Sequence, residues 1–134
     1  MTLIDTNVLL GLVTNDQYWA DWSIAALEAV SLRGPLLIND VVYAELSVRY
    51  ERIEDLDAFV AKAGLAITTI PRVALFLAGK AFTRYRPSGG PRTSVLPGFF
   101  IGAHATAGEL PLLTRDASRY RNYFPSLTLI TPDA

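Results

Sequence analysis

The sequence predicts an α/β fold with a central, mostly parallel five-stranded sheet flanked by helices. Two observations carry that prediction. Short apolar runs alternate with helical patterns from end to end, and a helix between successive strands is what parallel pairing requires. Those runs, such as Leu36-Leu37-Ile38 and Leu112-Leu113, are apolar at every position rather than every second one, as expected of strands covered on both faces. With 134 residues, no repeats and no linker-like tract, residues 1–134 are read as one domain. A chain of this size can bury about two-thirds of its unfolded surface in one core.

The first strand is Leu3-Ile4-Asp5, followed by a turn through Val8-Leu9-Leu10. A helix is expected over about 16–33, with Trp19, Trp22, Ala26 and Val30 on one face, and Gly34-Pro35 stops it. Leu36 to Ile38 forms the second strand, and Asn39-Asp40 caps a helix carrying Val41, Val42 and Glu45. The acidic run Glu51 to Asp57 opens the next helix, where acids complement the helix dipole, and Gly64 ends it. Ala66 to Thr69 is the third strand. Pro71 then starts a helix to about Tyr85, with Val73, Phe76, Leu77 and Ala81 expected toward the core. Pro87 to Pro97 holds three prolines, two glycines and two serines in eleven residues and reads as a loop. A helix from about Gly98 to Ala107, a strand at Leu112 to Thr114, a helix around Ser118 to Tyr123 and a strand at Leu127 to Ile130 complete the pattern.

Composition narrows the chemistry. There is no cysteine and one histidine, so disulfides, thiolate sites and a His-rich zinc site are excluded. Any metal must be held by oxygen, which favours Mg2+ or Mn2+. No apolar run approaches a membrane span and no signal peptide is read at the start, so a cytoplasmic protein is expected. Net charge is −1, but residues 1–70 hold ten acids against four bases and residues 71–134 hold eight bases against three acids. Seven of those late bases are arginine, the side chain best shaped to fork onto phosphate, so a nucleic-acid backbone track competes here with a plain solvated face.

In open parallel sheets, functional residues collect at the carboxyl ends of strands. Asp5 ends the first strand, Glu45 lies about one and a half turns into the helix after the second, Gly98 begins a helix, and Asp116 follows the fourth strand. Each acid alone is weak evidence: Asp5 and Asp116 are equally helix caps, and Glu45 a surface residue. Together they place carboxylates on one rim, where mutual repulsion calls for a cation. Arg84, Arg86 and Arg92 flank the Pro/Gly-rich loop and are the first candidates for RNA phosphate contact. Arg115 is also a candidate, although Arg115 and Arg119, beside Asp116, are placed to balance the acids instead. His104, in an alanine-rich helix, reads as a packed or dimer-facing histidine.

Four segments, Asp5 to Leu10, Asn39 to Leu46, Leu96 to Ala105 and Leu113 to Asp116, resemble the PIN-domain ribonucleases, in particular VapC-type toxins of bacterial toxin–antitoxin pairs. The resemblance covers essentially the whole chain. It implies a PIN-like three-layer fold, a homodimer, a VapB-like antitoxin partner, and Mg2+- or Mn2+-dependent endonucleolytic cleavage of RNA. It makes Asp5, Glu45 and Asp116 catalytic, metal-holding residues, with Thr6, Asn7 and Thr114 as supporting polar groups. The departure is Gly98, where the family pattern carries an acid. Glycine at a helix N-cap costs only a few tenths of a kcal/mol relative to aspartate, so the fold is expected to survive. Metal binding is expected to weaken and cleavage to be impaired or lost. The alternative is a non-cleaving pseudo-nuclease that binds RNA or antitoxin.

Other acid-rimmed folds fit less well. A phosphoacceptor receiver domain needs an acid ending a mid-chain strand, where Thr68-Thr69 stands. A haloacid-dehalogenase-type phosphatase needs a second aspartate at position 7, which is Asn7. Dinucleotide binding needs glycines after the first strand, and Asp5-Thr6-Asn7 supplies none.

Overall fold

The computed structural model describes residues 1–85 and 96–132. Five strands, β1 (Thr2–Ile4), β2 (Leu36–Asn39), β3 (Leu65–Thr68), β4 (Leu112–Leu113) and β5 (Leu129–Ile130), form one sheet in the order β3-β2-β1-β4-β5. Every pairing is parallel, with Leu3 opposite Leu37 on one side and Leu112 on the other. β1 is therefore central. Leu3, Ile4, Leu112 and Leu113 are fully buried, as strands covered on both faces must be. The chain winds outward through β2 and β3, then returns to the opposite side of β1 for β4 and β5. That reversal makes the gap between β1 and β4 a topological switch point, where flanking helices diverge and leave a crevice.

Among the described residues, seven helices flank the sheet: α1 (Thr6–Val13), α2 (Ala20–Ser31), α3 (Asp40–Ser47), α4 (Ile53–Lys62), α5 (Arg72–Tyr85), α6 (Leu96–Ala107) and α7 (Ala117–Tyr123). Asp5 and Asn39 cap α1 and α3 with side-chain oxygens, so each strand passes into a helix with its first N–H groups satisfied. Gly34 (φ 142°) and Gly64 (φ 71°) follow α2 and α4 in backbone conformations that favour glycine.

Four expectations need correction. The residues after Asp5 form an eight-residue helix rather than a turn through Val8 to Leu10, because the Asp5 cap nucleates it. α2 starts at Ala20, not near 16; Asp16 instead accepts from the backbone N–H groups of Tyr18 and Trp19. α5 turns Ala81 and Leu77 inward as expected, but Ala74 and Ala78 are buried in place of Val73 and Phe76, which are 65% and 67% exposed. Those alanines form the buried stripe of a helix whose main partner is α6, and small side chains allow close helix approach. Finally, α6 begins at Leu96, with Pro97 in its first turn, so Gly98 is a buried helical residue and not a cap.

Candidate functional site

Asp5, immediately after β1, is 3% exposed and sits in a closed ring of donors. Its Oδ1 accepts from the Thr6 backbone N–H at 2.8 Å. Its Oδ2 accepts from the Thr114 hydroxyl at 2.7 Å, the Tyr120 hydroxyl at 2.9 Å and the Asn7 amide at 3.3 Å. Thr114 Oγ1 in turn accepts from the Asp116 backbone N–H at 3.0 Å and from Asn7 Nδ2 at 3.3 Å, while Asn7 Oδ1 accepts from the Arg115 N–H at 3.1 Å. Residues more than a hundred positions apart are thus clamped across the β1–β4 switch point. Burial holds the Asp5 carboxyl above the usual carboxylate range, opposed by the bonds from Thr114, Tyr120 and Thr6 and by the charge of Arg119.

Glu45 reaches the same rim from α3, where its Oε1 accepts from the Thr6 hydroxyl at 2.5 Å. Burial raises its pKa as well; the Thr6 bond opposes this and the Asp5 charge adds to it. Asp116 caps α7 and is only partly covered. Its Oδ1 accepts from the Arg119 N–H and the Ser118 hydroxyl, and its Oδ2 pairs with Arg119 Nε at 3.2 Å. Gly98 of α6 completes this edge. A Cβ built there would lie 2.9 Å from Arg119 Cδ and 3.3 Å from Arg119 Nη1, so the arginine side chain fills the space beside position 98. Gly98, Asp116, Arg119 and Tyr120 line a cleft of about 340 Å³ whose other wall includes Phe99 and Tyr123.

The expected polar positions therefore lie around one rim, but not as a three-carboxylate metal cup. Among the described residues, no group of three or more His, Cys, Asp or Glu side chains is arranged to hold a metal ion. The donor chemistry suits a hard cation. The arrangement does not: Asp5 is saturated with donors, Glu45 is engaged by Thr6, Asp116 is paired with Arg119, and Gly98 offers no oxygen.

The arginines divide in the same way. Arg119 faces the acids. Arg115 turns away and lays its guanidinium over the Trp19 ring, 4.6 Å from the centroid. Arg84 donates to the Tyr123 carbonyl at 3.2 Å. Arg86 and Arg92 lie outside the described residues. His104 is buried with Nδ1 3.1 Å from the Asn39 amide nitrogen. Because Asn39 Oδ1 already accepts from the Val41 and Val42 N–H groups, its NH2 must face the histidine. Nδ1 is then the acceptor and the ring is neutral, in keeping with a pKa lowered by burial.

Tyr120 is the site residue that sequence reasoning missed. It sits between Arg119 and Arg121 in a short helix and gives no isolated apolar signal. The only clue was its place one turn beyond the Asp116 cap, on the inward face of α7. Its own pKa is pushed well up by burial and by the Asp5 charge, so it remains a donor to Asp5.

The PIN domain family profile matches residues 2–125. No curated protein matches the chain. Among solved structures, it is similar in fold to a chain of VapBC2 from Rickettsia felis bound to a promoter DNA fragment (TM-score 0.73, 20% identity, 97% of each chain covered). A chain of a toxin–antitoxin complex from Klebsiella pneumoniae gives a TM-score of 0.68 at 22% identity, with 98% of each covered. A chain of FitAcB from Neisseria gonorrhoeae gives 0.69 at 17%, again with 98% of each covered. PIN domains are in general metal-dependent nucleases. With the profile spanning nearly the whole chain and the strand-end acids on one rim of a parallel five-stranded sheet, the protein belongs to the PIN domain family.

Proposed function

We propose that this chain is the toxin component of a type II toxin–antitoxin pair, built on a metal-dependent endoribonuclease scaffold whose cleavage is impaired by Gly98. The observation that carries the reading is the polar clamp joining Asp5, Asn7, Thr114 and the Asp116 backbone across the β1–β4 switch point, with Glu45 tied in through Thr6. A clamp of this kind fixes carboxylates in place before a substrate arrives, which is what phosphodiester chemistry needs from its scaffold. Mg2+, or Mn2+ in its place, is the cofactor to which the oxygen-only donor set points. The partner is a VapB-like antitoxin, since the solved relatives of like fold are toxin–antitoxin complexes. The protein is expected to act in the cytoplasm as one domain and as a homodimer. The outward side of α5, with Val73 and Phe76 exposed, is available for such a contact. Among the described residues no helix is long and apolar enough to cross a membrane. RNA contact falls to Arg84, Arg86 and Arg92 rather than to Arg115, whose guanidinium is spent on Trp19.

A second reading, a non-cleaving module that binds RNA or antitoxin, is favoured by the Arg119–Asp116 pair and by the lack, among the described residues, of a three-carboxylate group. One comparison separates them. The chain and its Gly98→Asp variant are incubated with labelled RNA, with Mg2+ and with EDTA. Metal-dependent cleavage by the Gly98→Asp variant, strongly reduced in the parent, supports the disarmed nuclease. Absence of cleavage from both supports the binding module.

A further inference from the structure

The pocket holds a cation of its own. Arg119 pairs its Nε with Asp116 Oδ2 at 3.2 Å, and its charge also bears on Asp5, Glu45 and Tyr120. Among the described arginines it is the one that pairs with Asp116 and whose charge also acts on Asp5 and Glu45. Its aliphatic stem occupies the space beside Gly98, where any Cβ would press on Cδ at 2.9 Å. The glycine and the arginine pose are therefore mutually dependent: a side chain at 98 forces Arg119 to give way, and without one the stem can settle against the α6 backbone. Carboxylates converging on a half-dry rim need a neutralising charge, and a guanidinium supplies one without the strict octahedral geometry of a small divalent ion.

We propose that Arg119 is the resident counter-cation of this pocket, held there by the room that Gly98 leaves, and that it competes with a divalent ion for the Asp5, Glu45 and Asp116 carboxylates. The inference rests on the nuclease-scaffold reading only for what the metal would do once bound. Gly98 then has two consequences. It withholds an acid, and it lets an arginine into the place a metal would need.

The test is direct Mn2+ binding, followed by the electron paramagnetic resonance of the free ion, on the parent, Arg119→Gln, Arg119→Lys and Gly98→Asp. Removing one positive charge from among three carboxylates is expected to tighten Mn2+ binding in Arg119→Gln by roughly tenfold or more. Arg119→Lys, with its charge kept but its fork lost, is expected to fall between. Thermal melts guard against a folding artefact. In EDTA, Arg119→Gln should melt below the parent because its acids have lost their counter-charge, and Mn2+ should raise its melting point more than it raises that of the parent. Unchanged or weaker Mn2+ binding by a folded Arg119→Gln overturns the proposal, as does an equal Mn2+ response in both melts. The two readings can fail separately. Tighter Mn2+ binding by Arg119→Gln with no RNA cleavage by Gly98→Asp removes the nuclease and leaves the arginine. Cleavage by Gly98→Asp with no effect of residue 119 on Mn2+ does the reverse.

Discussion

The two ends of the acidic rim differ in how their charges are held. At the Asp5 end the carboxyl, Thr6, Thr114 and Tyr120 are buried, and each carboxylate oxygen is answered by a donor from Thr6, Asn7, Thr114 or Tyr120. At the Asp116 end the carboxylate is about a third exposed, and its main partner is a flexible arginine that rests against a glycine. The difference teaches where a fold can tolerate change. The first end welds β1, β4 and α7 together, so altering it costs stability. The second can lose an acid and gain a counter-ion while the sheet is untouched.

That contrast can be broken by experiment, and Asp5→Ala is the harshest attempt. It strands the buried Thr114 and Tyr120 hydroxyls, which lose their acceptor. At about 1–3 kcal/mol for each buried group left unsatisfied, a loss of at least about 2 kcal/mol in urea unfolding is expected. Tyr120→Phe removes one donor from a carboxylate that keeps three, and should cost about 1–2 kcal/mol. Asp116→Ala, at the open end, removes a helix cap and a partly exposed ion pair, and about 1 kcal/mol is expected from the cap alone. Should Asp116→Ala prove as damaging as Asp5→Ala, the division into a welded end and a permissive end is wrong.

How much of this could be read from the chain depends on the kind of signal. Asp5 and Asp116 were legible because one directly follows a short apolar run and the other stands a few residues beyond one, and chain order alone puts such ends on one rim. Thr6, Asn7 and Thr114 were legible as their sequence neighbours. The phase of α5 was legible only at Leu77 and Ala81. Apolar residues occupy 73, 74, 75, 76, 77 and 78, so no stripe stands out, and the helix turns its alanines inward to come close to α6. Gly98 was misread as a cap because Pro97 marks a helix start without saying on which residue of the first turn it falls. Nor could sequence foretell that Arg119 and not Arg115 would face the acids. Both flank Asp116, and the choice is made by Trp19, which captures one guanidinium from a distant element, and by the bare backbone at 98, which admits the other.

The smallest effect tests whether the rigid half extends beyond the rim. His104 lies on α6, the helix that carries Gly98, and its contact with Asn39 ties α6 to the start of α3, the helix that carries Glu45. Burial lowers its pKa, with Asp40 opposing. The unfolded chain thus takes up a proton, below about pH 6.5, that the folded chain refuses. Stability from the neutral ring is complete above that pH and is lost as pH falls toward the lowered folded value, with a slope of at most about 1.4 kcal/mol per pH unit for one proton. Asp5 and Glu45, whose pKa values are raised, act in the opposite sense at lower pH, where protonation relieves their burial penalty. Urea midpoints across pH 7 to 5, for the chain and for His104→Gln, isolate the histidine contribution by difference. A parent curve that falls more steeply than the variant's extends the welded region from Asp5 to the α3–α6 contact. Parallel curves would confine it to the β1–β4 clamp, leaving α6 free to shift with whatever stands at position 98.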